Sequence, residues 1–370
     1  MQIAQSPSSP DSPKPGYKPA GITGWFDTDL TLAKLSGLGN PLEQLGRVVD
    51  FEMFRPLLEE KLLNRDKKSN AGCKPYDVVL MFKILLLKRF YHLGDDQAEY
   101  QINDRVSFKE FLGLSSGDRV PDARTIWLFQ ENVVKTHLEE ALFGLFNRHL
   151  DGLGLFFNEG KIVDASFVEV PRQRNTREEN EKIKAGGGAG LWGDRPRKQR
   201  LKDVDARWTK KNNQTFYGYK DHAKIDAKSK LIRSYAVTHA AVHDSCGLEP
   251  LLEASDKGQD LYADSAYAGA PIAELLEKRG IPGKIIERGV RGKPLDDARK
   301  AENHEKSKVR CRGEHVFGFI SNSMDGFYTR VIGLGRTRCV VGLVNLVYNL
   351  FRHEQIVRLK LLPLPGGAVS

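Results

Sequence analysis

The sequence has few cysteines and no spacing that pairs them. Only 4 occur in 370 residues, and they are spread along the chain as Cys73, Cys246, Cys311 and Cys339. This pattern suggests neither a disulfide framework nor a zinc site. It favours a protein of the reducing cytoplasm.

Long hydrophobic runs are also missing. The most apolar segment, VVLMFKILLL, contains Lys83 and is far shorter than the roughly 20 residues that cross a bilayer. The first residues are polar and rich in proline and serine, without the apolar segment of a signal peptide. We therefore expect no membrane association, and we interpret residues 1–40 as a disordered arm.

Basic residues outnumber acidic ones, and the excess is concentrated in one segment. The chain has 57 Lys and Arg against 48 Asp and Glu, a formal net charge of +9, which suits a polyanionic partner without requiring one. Residues 195–211 contain eight basic and two acidic side chains, with Trp192 and Trp208 nearby. This segment combines charges that neutralise phosphates with rings able to stack on unpaired bases. The alternative is a disordered, solvated linker.

Residues 41–150 have apolar side chains at the three-and-four spacing of helices. Asp122 follows Pro121 and precedes an apolar run, which predicts a helix cap at Asp122. On that helix, Trp127 could enter a DNA groove together with Arg124, but a buried core position is favoured for the tryptophan. We interpret this region as a helical N-terminal domain for DNA binding or assembly.

After residue 158 the pattern changes to short β-rich runs. They predict the order β, ββ, α, β, α, β, α, with a turn at Lys228–Lys230 and a helix in HDSCGLEPLLEAS. The predicted fold is a mixed α/β sheet with flanking helices over residues 158–355. A basic, mobile insertion at 172–214 interrupts it after the first strand, a helix with one apolar face lies in CVVGLVNLVYNLF, and residues 356–370 form a tail.

Two aspartates follow apolar runs that read as buried strands. Asp164 ends KIV and Asp264 ends DLYA, so each carboxylate is predicted at the C-terminal end of a strand, where α/β sheets bind ligands. A turn or capping role is the alternative for each. The agreement between the two strands favours a shared site.

A glutamate on a predicted helix is the third candidate. Glu314 lies off the apolar stripe of its helix, and Arg310 precedes it by one turn. An ordinary exposed ion pair is the alternative. Phosphoryl transfer needs an activated attacking oxygen, a stabilised leaving oxygen and neutralised phosphate charge, which two divalent ions held by carboxylates provide.

These motifs resemble the DDE transposases of bacterial insertion sequences, in particular the fifth family within the broader family-four-like group. KIVDAS is similar to the strand of the first aspartate, DLYADSAYAG to that of the second, and KVRCRGEHVFG to the helix of the glutamate. The resemblance extends from about residue 42 to residue 351. Two positions depart from the wider signature, since Ser307 and Ser321 stand where a tyrosine and a basic residue are expected.

The resemblance implies a ribonuclease H-like fold and a Mg²⁺-dependent (or Mn²⁺-dependent) enzyme with two ions per site. Asp164, Asp264 and Glu314 would be both the catalytic and the metal-binding residues. The enzyme would cleave insertion-sequence ends and join 3′-hydroxyl ends to target DNA. Since two ends must be brought together, we expect a homodimer or larger assembly on double-stranded DNA, in the cytoplasm and associated with the nucleoid.

Several residues are candidates for contacts with DNA. In GYKDHAKID, the alternation of a strand puts Lys220, His222 and Lys224 on one face. This basic face would suit contacts with phosphates, and the alternative is an ordinary solvated strand face. His222 is a candidate phosphate or water ligand. The complete set of predicted nucleic-acid-binding residues is Arg310, Arg312, Lys220, His222, Lys198, Arg200, Trp208, Lys210 and Lys211.

Three alternatives stay open. Asp244, which ends the third strand, is predicted to cap a helix, and a role as a fourth active-site carboxylate is the alternative. Another ribonuclease H-like nuclease would use the same three carboxylates. A transposon-derived DNA-binding protein without activity would have lost one of them, whereas all three are present.

Overall fold

The computed structural model describes residues 27–63, 74–211, 213–289 and 294–362. Most of the predicted disordered arm, and the end of the predicted tail from residue 363, lie outside these ranges. Residues 27–37 of the arm form a helix, with acidic residues in its first turn and Lys34 in its last, the charge order that complements a helix dipole. The predicted tail likewise begins inside the last helix, which ends at Arg358.

The described residues between 27 and 152 form helices and loops, as their apolar spacing predicted. Asp77 and Asp122 cap two of the helices: Asp122 accepts a hydrogen bond from the backbone N–H of Thr125 at 2.7 Å, which confirms its predicted role. The helices are α1 (Asp27–Gly37), α2 (Pro41–Val48), α3 (Arg55–Leu62), α4 (Val78–Phe90), α5 (Asp95–Asp104), α6 (Val106–Leu112), α7 (Ala123–Lys135) and α8 (Leu138–Gly152).

The segment VVLMFKILLL forms most of α4, which is buried on most of its sides among its neighbours. Across the described ranges, none of the helices is both long enough and apolar enough to cross a membrane.

The second part of the chain contains a mixed sheet. The predicted hairpin, the strands around the two aspartates and the strand in GIPGKIIE are all present. The strands are β1 (Lys161–Glu169), β2 (Arg207–Lys211), β3 (Gln214–Asp226), β4 (Ile232–His239), β5 (Leu261–Ala263) and β6 (Gly283–Ile285). The remaining helices are α9 (Arg177–Lys184), α10 (Pro196–Arg200), α11 (Ala270–Arg279), α12 (Asp297–Met324) and α13 (Leu334–Arg358).

Strand β3 is the long central member of the sheet. It is antiparallel to β1 on one side and to β2 and β4, one after the other, on the other side. Beyond β1, β5 runs parallel to β1, and β6 runs parallel to β5. The predicted mixed α/β sheet is therefore confirmed.

Helices α12 and α13 cover one face of this sheet. Gly313 lets α12 approach closely, because a Cβ atom there would lie 3.2 Å from Cγ2 of Ile162. Helix α13 is buried on nearly all sides and not on one face alone, since the N-terminal helices pack on its far side. The rings of Phe90 and Phe351 stack there at 3.9 Å, and burial of one such ring stabilises the fold by about 1.5–3 kcal/mol.

The other face is covered by α11 and three short 3-10 helices, Asp244–Gly247, Glu249–Leu251 and Ala254–Asp256. The predicted helix in HDSCGLEPLLEAS is therefore wrong. Pro250 has no N–H to continue a helical ladder. Gly247 packs so tightly over the ring of His222 that a Cβ atom would overlap it, and this contact with the sheet fixes the local backbone.

The insertion is built from defined elements, so an unstructured linker is wrong for its described residues. Helices α9 and α10 meet at Glu179, which accepts hydrogen bonds from the indole of Trp192 at 2.8 Å and from Lys198 at 2.6 Å. Trp192 is only 3% exposed and cannot stack on a base. Strand β2 joins the insertion to the sheet.

The prediction of a buried Trp127 is also wrong. The side chain is 45% exposed, because α7 turns Ile126, Gln130 and Val133 toward its neighbours and leaves Trp127 between that face and solvent.

Candidate catalytic site

Asp164 and Asp264 lie at the same level of the sheet. Strands β1 and β5 pair in parallel, Lys161 with Leu261 and Ile162 with Tyr262. If this register is continued two residues beyond the pair of Ile162 and Tyr262, Asp164 lies beside Asp264. The expectation that Asp164 ends its strand is wrong, because β1 runs on to Glu169 beside β3; it is β5 that ends, and both carboxylates lie where the two strands part.

The carboxylate of Asp164 is largely buried and is bonded on both oxygens. Oδ2 accepts a hydrogen bond from Arg310 Nη1 at 3.0 Å, and Oδ1 accepts one from the backbone N–H of Ala165 at 2.8 Å. Burial raises the pKa of Asp164, and the nearby charge of Asp264 raises it further, against the N–H of Ala165 and the cations of Arg310 and Lys211. The site therefore favours a cation beside Asp164.

Asp264 also caps a turn. Its Oδ1 accepts a hydrogen bond from the backbone N–H of Ala266 at 2.8 Å, at the start of the 3-10 helix Ser265–Tyr267. Capping and membership of the site are therefore not alternatives at this position, since the turn holds the carboxylate at the strand end.

Arg310 connects Asp164 to Glu314. The guanidinium donates from Nη2 to Glu314 Oε1 at 2.6 Å, besides its bond to Asp164. The predicted pair of Arg310 and Glu314 is present, but it is more than a surface ion pair, because one partner of the arginine is a buried carboxylate of the sheet. Among the described residues, the buried Nε of Arg310 has no hydrogen-bond partner, which leaves it a free donor.

Within the described ranges, no group of three acidic, histidine or cysteine side chains converges on one point. The reason at this site is Arg310, whose guanidinium stands between Asp164 and Glu314. The guanidinium supplies the positive charge that the carboxylates require in this arrangement.

Strand β3 alternates as predicted, but its basic face is not solvated. Lys220, His222 and Lys224 are all buried under the 3-10 helices. Lys224 pairs with Asp256 at 2.7 Å, and His222 contacts the hydroxyl of Thr238 at 2.8 Å. Burial lowers the pKa of His222 to about 4, so its ring is neutral near pH 7.

Asp244 does not cap a helix. The capping group is the side chain of His243, which accepts from the backbone N–H of Ser245. Asp244 instead pairs with Lys220 at 2.7 Å and with Lys211 at 3.3 Å, and these pairs lower its pKa against the effect of burial.

The other predicted DNA-contacting residues lie in different places. Arg312 donates to the backbone carbonyl of Ala227 at 3.1 Å, near the start of β1. Trp208 is 41% exposed, with the guanidinium of Arg172 over its ring at 5.7 Å. Lys198 pairs with Glu179 inside the insertion. Arg200, Lys210 and Lys211 are exposed, and of these Lys211 pairs with Asp244.

One residue of the site was missed by sequence reasoning. Tyr267 is buried, and among the described side chains its hydroxyl has no hydrogen-bond partner. Burial raises its pKa, and the carboxylates of Asp164, Asp244 and Asp264 raise it further. The only signal in the sequence was its place three residues after Asp264, which by itself does not separate a site residue from a core tyrosine.

Comparison with known proteins shows the family of this part of the chain. Residues 156–350 match the family model described as Transposase DDE domain, a segment that contains Asp164, Asp264 and Glu314. Residues 30–132 match a model described as Transposase domain (DUF772). Among solved structures, the chain is similar to a piggyBac transposase synaptic complex with hairpin DNA, at 12% identity and a TM-score of 0.41, over 90% of this chain and 78% of that one.

Proposed function

Because the chain belongs to the Transposase DDE domain family, whose model matches more than half of it, we propose that it cleaves DNA at insertion-sequence ends and joins the 3′-hydroxyl ends to target DNA. The motifs KIVDAS, DLYADSAYAG and KVRCRGEHVFG resemble those of the fifth family of insertion-sequence transposases, and this resemblance supports the proposal that the chain belongs to that family. The antiparallel order β1, β3, β4, with β5 and β6 parallel beyond β1, supports a ribonuclease H-like fold for the catalytic part.

One observation carries the proposal. Two aspartates stand level at the point where β1 and β5 part, and a glutamate from α12 is tied to one of them through Arg310. Carboxylates so close together repel each other unless cations stand among them. Such a cluster at a strand edge is suited to holding cations against a phosphate.

The donor set suits a hard divalent ion. Carboxylate oxygens are the ligands that Mg²⁺ and Mn²⁺ take in proteins, and the side chain of Glu314 is 59% exposed, so it is free to turn from Arg310 toward the aspartates. Asp164, Asp264 and Glu314 would hold two ions. Such ions activate the attacking oxygen and stabilise the leaving one.

The chain's own groups orient the DNA. The planar guanidinium of Arg310 presents a fork of donors that matches two oxygens of a phosphate. When the carboxylates bind metal, the guanidinium is free to turn its donors, including the unpaired Nε, to a non-bridging phosphate oxygen. Arg310 is therefore a phosphate-orienting residue and not a metal ligand.

The proposed substrate is double-stranded DNA, bound by a homodimer or larger assembly because two ends must be processed together. The helical N-terminal region would serve binding and assembly, and a protein of this function would act at the bacterial nucleoid. We propose that the insertion also contacts DNA, away from the three carboxylates, through the exposed side chains of Arg200, Lys210 and Trp208.

The test is cleavage of DNA that carries the element's own ends. Purified protein is incubated with labelled end DNA and Mg²⁺ or Mn²⁺, and every nick is mapped to the nucleotide. We expect nicks at the ends that disappear with a chelator and in Asp164→Ala, Asp264→Ala and Glu314→Gln, while DNA binding persists. Glu305→Gln is the matched control, since Glu305 lies exposed on the same helix and pairs with Lys308; it should cleave as the wild type does.

The other outcomes are equally clear. Cleavage without preference for the ends would indicate a general nuclease. Binding to the ends without cleavage in any divalent ion would indicate a transposon-derived DNA-binding protein. Full activity in one of the three carboxylate variants would remove that residue from the proposed site.

A further inference from the structure

Two lysines from neighbouring strands meet one aspartate beside the catalytic carboxylates. Lys220 of β3 donates to Asp244 Oδ1 at 2.7 Å and to the carbonyl of Val242 at 2.6 Å. Lys211, the last residue of β2, donates to Asp244 Oδ2 at 3.3 Å. Lys220 and Asp244 are buried, whereas Lys211 remains exposed. Asp244 thus holds one fixed cation and one that still faces solvent.

This group belongs to the same electrostatic cluster as the catalytic site. The 3-10 helix Asp244–Gly247 contacts the 3-10 helix Ser265–Tyr267, which is capped by the carboxylate of Asp264. Asp244 acts together with Asp164 and Asp264 on the buried hydroxyl of Tyr267, whose pKa burial and these carboxylates raise. A cation held by Asp244 is therefore held beside the reacting phosphate of the proposed function.

An aromatic pair supports both lysines. Phe167 of β1 and Phe216 of β3 stack with their ring centres 4.0 Å apart and their planes at 11°. The Nζ atoms of Lys220 and Lys211 lie 5.3 and 5.8 Å from the centre of the Phe167 ring. Contacts of this kind attract a cation to the ring face, so the position of Lys211 is set by Asp244 and Phe167 together and not by the backbone of the insertion alone.

We propose that Lys211 binds a phosphate of the DNA strand that is cut, and that Asp244 is the positioning residue that aims Lys211 at it. The inference rests on the proposed function. Without DNA, Asp244 holds the exposed ammonium group in place. With DNA, a phosphate oxygen becomes a second anionic partner for the same ammonium group, while Lys220 keeps Asp244 ionised.

A positioning role and a general charge effect predict different results. Removing the negative charge of Asp244 makes the surface more positive, so charge alone would tighten DNA binding and leave the cleavage rate unchanged. If Asp244 positions Lys211, the cleavage rate falls although binding is retained or tightened, because small misplacements of a contacting group are costly. A purely structural role would lower the melting temperature and the fraction of active protein.

The experiment measures single-turnover cleavage of end DNA in Mg²⁺ for full-length Asp244→Asn, Lys211→Ala and Lys211→Arg. DNA affinity against salt is measured separately for each change in an Asp164→Ala background, where no cleavage interferes. We expect Asp244→Asn to lower the rate about tenfold without weakening binding. Lys211→Ala should lower the rate by a similar factor and reduce the slope of log affinity against log salt by about 0.9. Lys211→Arg should restore both.

The matched control is Glu181→Gln, which removes a carboxylate from an exposed pair with Lys184 elsewhere in the insertion and should change neither readout. Combining Asp244→Asn with Lys211→Ala should add less than about twofold to the loss, since the two act through one contact. A wild-type rate in Asp244→Asn, or an equal further loss in the Lys211→Ala background, would overturn the positioning role.

Misfolding does not obscure the result. If Asp244→Asn fails to fold, the change at the exposed Lys211 still tests the proposal. A wild-type cleavage rate and a wild-type salt slope in Lys211→Ala would overturn the phosphate contact. A wild-type protein that cuts no DNA would overturn the proposed function, and this inference with it. Cleavage that depends on Asp164 but not on Lys211 would overturn this inference alone.

Discussion

The two faces of strand β3 bury ionisable groups in opposite ways. On the face covered by the 3-10 helices, the buried Lys224 pairs with Asp256 at 2.7 Å. On the face covered by α13, Asp221 is just as buried, but its partner is the neutral amide of Asn345, at 3.1 and 3.3 Å from its two oxygens. One face thus compensates charge with charge, and the other does not.

The difference appears in the pKa values of the second face. Burial raises the pKa of Asp221 to about 7. Glu139 of α8 is buried nearby with no hydrogen-bond partner for either carboxylate oxygen among the described residues, and burial raises its pKa to about 6. A buried carboxylate without an opposite charge nearby takes up a proton more readily. The free energy of unfolding therefore depends on pH.

The largest effect is expected where the charge pair is broken. Asp256→Ala leaves the ammonium group of Lys224 buried, with the half-exposed Glu253 at 3.3 Å as its one remaining ion-pair partner among the described residues. We expect a loss of about 3–5 kcal/mol in the free energy of unfolding, as for other buried pairs that lose one partner. Urea unfolding at pH 7 measures it. The double variant Lys224→Met, Asp256→Ala should recover more than half of the loss, and a single-variant loss under about 1 kcal/mol would contradict the comparison.

On the face covered by α13, we expect a substitution to increase the free energy of unfolding. Asp221→Asn removes a carboxyl group that must be buried as an ion at high pH, so it should stabilise the protein above pH 7. The rise of the pKa from 3.8 to about 7 corresponds to a gain on the order of 4 kcal/mol, at about 1.4 kcal/mol per unit.

The pH range of this gain follows from the direction of the shift. An acid whose pKa is raised by folding favours the folded state below its unfolded pKa and loses that contribution as the pH rises through the folded pKa. The difference between Asp221→Asn and the wild type should therefore be near zero at pH 4, grow from there to pH 7 and then level off. Unfolding free energies over that range test it, and a constant difference would show that burial of charge is not the cause.

The proposed catalytic site, at Asp164, Asp264 and Glu314, has features of both faces of β3. Asp164 lies on the same face of the sheet as Asp221, because it pairs across the strands with Ala223. Unlike Asp221, Asp164 forms an ion pair, with Arg310. We expect Arg310→Lys to lower end cleavage at least about tenfold, roughly 1.4 kcal/mol of barrier, because a lysine keeps the charge but loses the two-pronged contact with phosphate. The Mg²⁺ concentration for half-maximal activity should stay near that of the wild type.

A Mg²⁺ titration of cleavage checks the Arg310 prediction. Arg299→Lys is the control, since Arg299 is exposed on the same helix and pairs only with surface carboxylates among the described residues. Full activity in Arg310→Lys would refute the phosphate contact. A shifted metal requirement with a normal maximal rate would show that Arg310 instead orients the carboxylates.

The smallest effect is expected at Glu139. Its pKa is raised from 4.5 to about 6, so the stability that depends on its proton is lost as the pH rises from about 4.5 through 6. Glu139→Gln should stabilise the protein by up to about 2 kcal/mol above pH 7 and by almost nothing at pH 4. Glu140→Gln is the control: Glu140 is the exposed neighbour of Glu139, so this change should leave the free energy of unfolding nearly unchanged. Equal behaviour of the two variants would contradict the assignment.

Local patterns were sufficient for most elements. The cap at Asp122, the hairpin of β3 and β4 and the alternation along β3 follow from spacings of a few residues, and the structure has them as predicted. The failures are positions where distant packing overrides such patterns. Trp192 is buried by the fold of the insertion, and the segment after β4 forms 3-10 helices because Gly247 packs on His222.

The sequence by itself determined the helical character of the first part of the chain, the order of β1 and of β3 to β6, the place of Asp264 at a strand end and the family motifs, because hydrophobic periodicity and turn chemistry act over short distances along the chain. Only the tertiary structure decided which groups meet. Arg310 reaches Asp164 across 146 positions, and Lys211 reaches Asp244 across 33. Burial of both faces of β3 likewise depends on α13 and on the 3-10 helices. Ion pairs and pKa shifts arise from this long-range packing, which no local pattern in the sequence encodes.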